Sequence, residues 1–196
     1  MEEDIKKACD VLLKGGIILY PTDTIWGIGC DATNEEAVKR IYEIKQRADS
    51  KSMLVLLDSS AKLDYYVSDC PDIALDLIEL SEFPKGIDLA HKPVTIIYSG
   101  AKNLASNLIA EDGSIGIRIT QENFSKELCR RFKKPIVSTS ANISGNPSPA
   151  NFPEIESAII NAVDYVVNYR QDDLTKSKPS SIIKLESGGV VKIIRE

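Results

Sequence analysis

Three short stretches of this chain concentrate residue types able to do chemistry. In the first, YPTDTIWGIGCDA (20–32), an apolar run ends in Pro21, two threonines, an aspartate and two glycines. Thr22 and Thr24 stand two apart, so an extended backbone turns both hydroxyls to one side, while Gly27 and Gly29 let a backbone come close. Strand ends of this kind bind ligands in α/β proteins, although hydroxyls also cap ordinary turns. In the second, IKQRADSKSM (44–53), Lys45, Arg47 and Lys51 put three cations into seven residues of an acidic protein. On a helix Lys45 and Arg47 would diverge by about 200 degrees, whereas in an extended exit from a helix they point the same way. That density suits a triphosphate, the alternative being a solvated charged turn. In the third, PIVSTSANISGNPSP (135–149), Ser138, Ser140 and Asn142 alternate and offer uncharged donors and acceptors to phosphate oxygens or a nucleotide. Gly145 and the two prolines direct the loop that follows, and a purely structural loop is the competing reading.

Composition narrows what those segments can serve. The chain has 196 residues and 43% hydrophobic content, which suits one well-packed α/β domain over 1–196. Its 24 basic and 29 acidic residues leave a net charge of -5, so the whole-molecule field repels polyanions and any nucleotide site must be a local basic cluster. Cys9, Cys30, Cys70 and Cys129 form no C-x-x-C pair and His91 is the sole histidine, which points to reduced thiols and neither a zinc site nor a disulfide framework. MEEDIKK opens with acids where a leader would carry a basic and then an apolar stretch, and no apolar run is long enough to span a bilayer, so a cytoplasmic protein without leader or membrane contact is expected.

The elements that position the three segments follow from periodicity. Residues 2–14 carry Ile5, Ala8, Cys9, Leu12 and Leu13 at helical spacing and stop at two glycines. Thr33 and Glu36 have the form of a capping box ahead of a second helix that ends near Lys45. Further helices are read at 71–80, 121–132 and 153–163. Strands are read at GIILY, MLVLL (53–57), VTIIY (94–98), SIGIRI (114–119), PIVSTS (135–140) and DYVVNY (164–169), with a terminal hairpin from SSIIKL (180–185) and VVKII (190–194). Trp26, Tyr20 and Phe83 read as core or rim aromatics, and Tyr65, Tyr66, Tyr165 and Tyr169 as packing residues.

The segments together resemble the YrdC-like family, the threonylcarbamoyl-AMP synthases. The family pattern of Pro-Thr-(Asp/Glu)-Thr, Lys-x-Arg and Ser-x-Asn followed by Ser-Gly stands here as PTDT (21–24), KQR (45–47) and SANISG (140–145). Pro93-Val94-Thr95, IGIRI with Arg118, KPSSII (178–183) and Arg195 extend the match to nearly the whole chain. The resemblance implies a short single-domain member with an α/β fold, a twisted mixed β-sheet with flanking helices around a deep basic cleft. It implies condensation of L-threonine, bicarbonate and ATP into threonylcarbamoyl-AMP, with release of pyrophosphate, for threonylcarbamoyl-adenosine modification of tRNA. Lys45 and Arg47 would be catalytic, and ATP would be held by Lys45, Arg47, Lys51, Ser138, Ser140, Asn142 and Arg195. Threonine would be held by Thr24, Arg47, Thr95, Arg118 and Ser180. With the nucleophile supplied by the substrate's own carbamate, no covalent enzyme intermediate is required, and positioning plus positive charge suffice. No compact carboxylate motif stands in the sequence, so magnesium is expected to arrive on ATP instead of at a protein metal site.

The chain departs from the family pattern at His91-Lys92 before Pro93, at Ala48, at Leu56 where some relatives have histidine, and at Ser181. One competing reading is a catalytically altered nucleotide- or RNA-binding relative. The acidic balance and 6% aromatic content argue against general RNA binding, so direct tRNA contact is expected to be weak or absent. Transfer to tRNA would then need a separate transferase, which this chain would contact only transiently. A Ser-His-Asp hydrolase using His91 lacks a nucleophile elbow.

Overall fold

The computed structural model describes residues 1–46, 53–82, 93–176, 179–186 and 190–195. The first helix, α1 (Glu2–Leu13), buries Ile5, Ala8 and Leu12 along one stripe. Strand β1 (Ile18–Tyr20) is fully buried and turns back through residues 21–26 into β2 (Gly27–Gly29), its antiparallel partner. Next come α2 (Glu35–Ile44), β3 (Leu54–Leu57), a short α3 (Leu63–Tyr66), α4 (Asp72–Glu82) and β4 (Val94–Tyr98). The chain continues through β5 (Ile115–Ile119), α5 (Asn123–Phe132), β6 (Ile136–Ser140), α6 (Ser157–Ala162), β7 (Tyr165–Val166), β8 (Ser181–Glu186) and β9 (Val190–Arg195).

The nine strands form one mixed sheet in the order β7-β1-β2-β6-β3-β5-β4-β8-β9. Its centre carries the apolar runs: every residue of β5 is buried, as are Val55, Leu56 and Leu57 of β3. Leu56 is a core residue with no exposed surface, paired with Arg118 on one side and Ile136 on the other. On α5, Phe124, Leu128, Cys129 and Phe132 are buried at helical spacing. Asp4 ties α1 to the region around β7 by accepting hydrogen bonds from the Tyr165 hydroxyl at 2.6 Å and the Asn168 backbone at 3.2 Å.

Three expectations change. The cap of α2 is Asn34, whose side chain accepts from the Ala37 N–H, and not Thr33. Thr33 is instead drawn into a tight turn by the Asp31 carboxylate, to which it donates from both backbone and hydroxyl. The helix read at 153–163 is a 3-10 turn at Phe152–Glu154 followed by α6, because the backbone is extended at Ile155 and Glu156 and Ile155 is buried. Strand DYVVNY shortens to two residues, and β2 is a strand that the periodicity does not announce. The terminal hairpin forms as read, with an irregularity between Ile182 and Ile183.

Candidate active site

The loop from β1 to β2 and the end of β6 meet across the sheet, since Gly27 pairs with Ser140 and Ile28 with Thr139. Thr22 and Thr24 are not on an extended segment as expected: residues 23–25 bend, the Thr22 hydroxyl accepts from the Thr24 N–H at 3.1 Å and donates to the Ile25 carbonyl at 2.8 Å, and the two hydroxyls stand 3.0 Å apart within that turn. Thr24 opens onto a cavity of about 200 Å³ whose polar wall is Ser138, Ser140, Ser180, Arg118 and Arg195. Met53, Leu54, Ile182 and the indole of Trp26 supply apolar surface to the same cavity. Trp26 is wedged in place by Phe152, with ring centroids 4.8 Å apart, which makes it a wall and not a free stacking platform.

Gly27 matters here because a Cβ on it would stand 3.2 Å from the Ser138 hydroxyl. At Gly29 a Cβ would lie 2.6 Å from both the Tyr20 ring and the Val137 carbonyl, so its bareness serves sheet packing and not ligand approach.

Arg118 and Arg195 are the cations of the cavity among the described residues. Arg118 is only 3% exposed, and its Nε lies 3.1 Å from Asp23 Oδ1. The angle is too poor for a hydrogen bond, so this is a charge contact. Arg195 donates from Nε and Nη2 to the Ser180 carbonyl at 2.9 and 2.8 Å, and Ser180 in turn shares a 2.9 Å hydroxyl hydrogen bond with Thr95. The strand irregularity beside Ile182, the partner of Arg195, lies next to this contact, where bulges re-aim side chains. Burial first, and the Arg118 charge second, push the Arg195 pKa down from its ordinary value. Two guanidiniums sharing one concavity with this mutual repulsion form a place for an anion.

Lys45 is placed differently from the expectation of an extended exit. It is the C-terminal cap of α2, in helical conformation, and the chain reverses at Gln46 with a positive φ of 50°. Lys45 is 2% exposed, and its ammonium donates to the carbonyls of Ser140 and Asn142, the latter at 2.8 Å. Its own carbonyl accepts from the Ser144 N–H at 2.9 Å. Lys45 therefore clamps the loop after β6 to the end of α2. Asn142 works within the same loop, donating to the carbonyls of Ile143 and Asn146, with Oδ1 buried and unpartnered. Thr95 stands behind Ser180 and touches the site through it. Arg47, Lys51, His91, Lys92 and Phe83 lie outside the described residues. Among those described, no group of His, Cys, Asp or Glu is placed to hold a metal ion, and no helix is long and apolar enough to cross a membrane.

Sequence reasoning passed over Asp23, Met53 and Ser148 as site neighbours. A charge enclosed between two threonines was the available signal for Asp23; the others reach the cavity through the tertiary fold, which local spacing does not encode.

Comparison with known proteins agrees with this architecture. The family model for Sua5, YciO and YrdC, described as telomere recombination, matches residues 10–196. The threonylcarbamoyl-AMP synthase of Pseudoalteromonas translucida is 33% identical over 194 residues, covering 97% of this chain and 98% of its own. P. abyssi Sua5, solved as a complex with L-threonine, superposes with a TM-score of 0.83 at 22% identity; all of this chain is covered, but only 54% of the Sua5 chain. E. coli YciO superposes with a TM-score of 0.82 at 24% identity, covering 100% of this chain and 90% of its own. On the strength of the family match and the near full-length relative, the chain belongs to the Sua5/YciO/YrdC family.

Proposed function

We propose that this protein is a threonylcarbamoyl-AMP synthase, a nucleotidyltransferase that joins L-threonine, bicarbonate and ATP and releases pyrophosphate. The observation that carries the reading is the convergence of Thr24, Ser138, Ser140, Ser180, Arg118 and Arg195 on one cavity, in a chain 33% identical to a synthase that it matches over 98% of that synthase's length. The threonine amino group and bicarbonate combine to a carbamate with loss of water. A carbamate oxygen then attacks the α-phosphorus of ATP, and pyrophosphate leaves with the P–O bond's electron pair. Each partner in this step is an anion, so bringing them together requires neutralising charge and no protein nucleophile.

The free fork of Arg118, which donates to no described residue, takes the carboxylate of the amino acid. Thr24 and the Thr95–Ser180 pair hold its polar groups beside the apolar patch of Met53 and Leu54. Ser138 and Ser140 receive the nucleotide, with Arg195 at the β8–β9 edge and Arg47 and Lys51 as further phosphate partners. Lys45 and Asn142 serve ATP by shaping the loop after β6. Magnesium enters with ATP as substrate: the cavity wall presents hydroxyls and guanidiniums, and among the described residues no carboxylate set there would keep the ion. The product would pass to a separate tRNA-modifying transferase in the cytoplasm.

The test is pyrophosphate release by the purified protein from ATP, magnesium and bicarbonate, with L-threonine, with L-serine and with no amino acid. Release that requires both threonine and bicarbonate is expected. ATP binding without threonine-dependent release would reject the reading.

A further inference from the structure

We infer that Asp23 is a positioning and specificity-determining residue: by lying against Arg118 it makes that end of the cavity select a singly charged carboxylate over a polyphosphate. The inference rests on the functional reading above and deepens it. Asp23 is nine-tenths buried in its side chain and Arg118 more so, yet their 3.1 Å contact is off-axis, leaving Asp23 Oδ1 and Arg118 Nε each without an aligned hydrogen bond. A pair built only to stabilise the fold would take the forked geometry that guanidinium and carboxylate adopt freely. Here the carboxylate approaches the Nε side, and the two Nη groups of Arg118 have no partner among the described residues while the side chain lines the cavity. A buried, unpartnered fork aimed at a concavity is a ligand site.

The charge arithmetic gives the site its preference. Arg118 and Arg195 both line the cavity, where burial first and the Arg118 charge second lower the Arg195 pKa. Without Asp23 the two cations would form a doubly positive pocket suited to pyrophosphate or a triphosphate. With Asp23 against Arg118, that fork still offers two aligned donors but little net charge, which satisfies a carboxylate by geometry and gives a polyanion no added attraction. Asp23 thereby divides one cavity into an amino-acid end and a phosphate end and keeps the released pyrophosphate from occupying the former.

The experiment is calorimetric titration of the full protein, without ATP, using L-threonine and inorganic pyrophosphate as separate probes on the parent and on Asp23→Asn. The substitution keeps the shape and removes the charge. The ratio of the pyrophosphate Kd to the threonine Kd is expected to fall by about tenfold, the effect of one charge at partly screened contact distance. Asp23→Glu should return the ratio toward that of the parent, which a merely structural role would not require. A ratio that falls by less than about threefold, or that Asp23→Glu fails to restore, overturns the inference. If Asp23→Asn does not fold, the comparison moves to Arg118→Gln with and without Asp23→Asn. There, Asp23→Asn should leave the ratio unchanged because the cation it governs is gone, and a change of the tenfold kind would refute the mechanism. Should the parent bind no threonine, the functional reading fails, and Asp23 is then judged on pyrophosphate alone, whose affinity must rise in Asp23→Asn.

Discussion

Lys45 shows how a side chain's type and its direction are separate facts. A lysine in a cluster of three cations reads as a phosphate ligand, and an ammonium does carry the charge for that. Its direction, however, is set by the end of α2, where the helix cap turns Lys45 under the loop after β6 and two carbonyls capture its ammonium. Lys45→Ala should cut turnover by on the order of a hundredfold, because the loop carrying Ser140 loses the clamp that preorganises it. Hydrogen exchange in the protein without ATP separates this role from direct phosphate contact. Faster exchange over residues 141–146 in the variant is expected, and unchanged exchange there would contradict the clamp. Thr95→Ala acts elsewhere: it removes the hydroxyl partner of Ser180, so the KM for threonine should rise several-fold while the KM for ATP stays within about twofold, as substrate titrations would show. The hydroxyls of Ser138 and Ser140 were legible because strand periodicity decides which side they face, whereas Thr24 lies in the bend between β1 and β2 and is oriented by its contact with Thr22. Asp23 was not, since nothing local says that its partner is Arg118, which comes from a strand 95 positions later, at 118 against 23.

At the scale of elements, what was legible was whatever satisfies its own hydrogen bonds or buries its own stripe. The helices α1, α2 and α5 and the apolar strands at the sheet centre fall there. Strand β2 is the contrary case: Gly-Ile-Gly has little strand preference, and the segment is extended because β1 and β6 flank it. Gly29 is where that dependence can be measured. A Gly29→Ala methyl would meet the Tyr20 ring and the Val137 carbonyl at 2.6 Å, and backbone on one side cannot retreat. A loss of about 1–3 kcal/mol in denaturant unfolding is expected, with activity reduced because β2 carries Gly27 to the cavity wall. The cap of α2 is Asn34 and not its neighbour because Thr33 and Asn34 both favour caps and Asp31 claims Thr33 first. Asn34→Ala should therefore cost about 1 kcal/mol by the same unfolding measurement. The break at Ile155 was hidden because the run 153–163 has helical periodicity, whereas the chain turns there to bury one isoleucine.

For the molecule as a whole, acidic excess and a local pair of guanidiniums are complementary facts. The net charge of -5 keeps polyanions from collecting over the surface, while Arg118 and Arg195 reserve attraction for the cavity. The acids are themselves engaged in the folded chain, and this fixes how stability should vary with pH. Hydrogen bonding from Lys184 and Ser114 holds the Asp112 carboxyl at about 2, contacts from Arg130 and Arg131 bring Glu127 to about 2, and Thr175 with Arg170 bring Asp173 to about 2. Burial tends to raise the pKa of Asp4, but hydrogen bonds donated by Tyr165 and Asn168 outweigh it and the net shift is downward. Each folded value is below the unfolded one, so the unfolded chain binds more protons at acid pH and acidification favours unfolding. The stabilisation is complete above the ordinary carboxylate range near 4 and is lost as pH falls through the folded values near 2. Asp112 is exposed and Glu127 and Asp173 are partly exposed, so each contribution is small and salt should screen it. The denaturant midpoint is expected to hold between pH 7 and 5 and to decline between pH 4 and 2, with a smaller decline for Asp112→Asn, whose titration has been removed. A midpoint that stays level down to pH 2 would mean that these ion pairs and hydrogen bonds add nothing to the fold beyond what the unfolded chain already has.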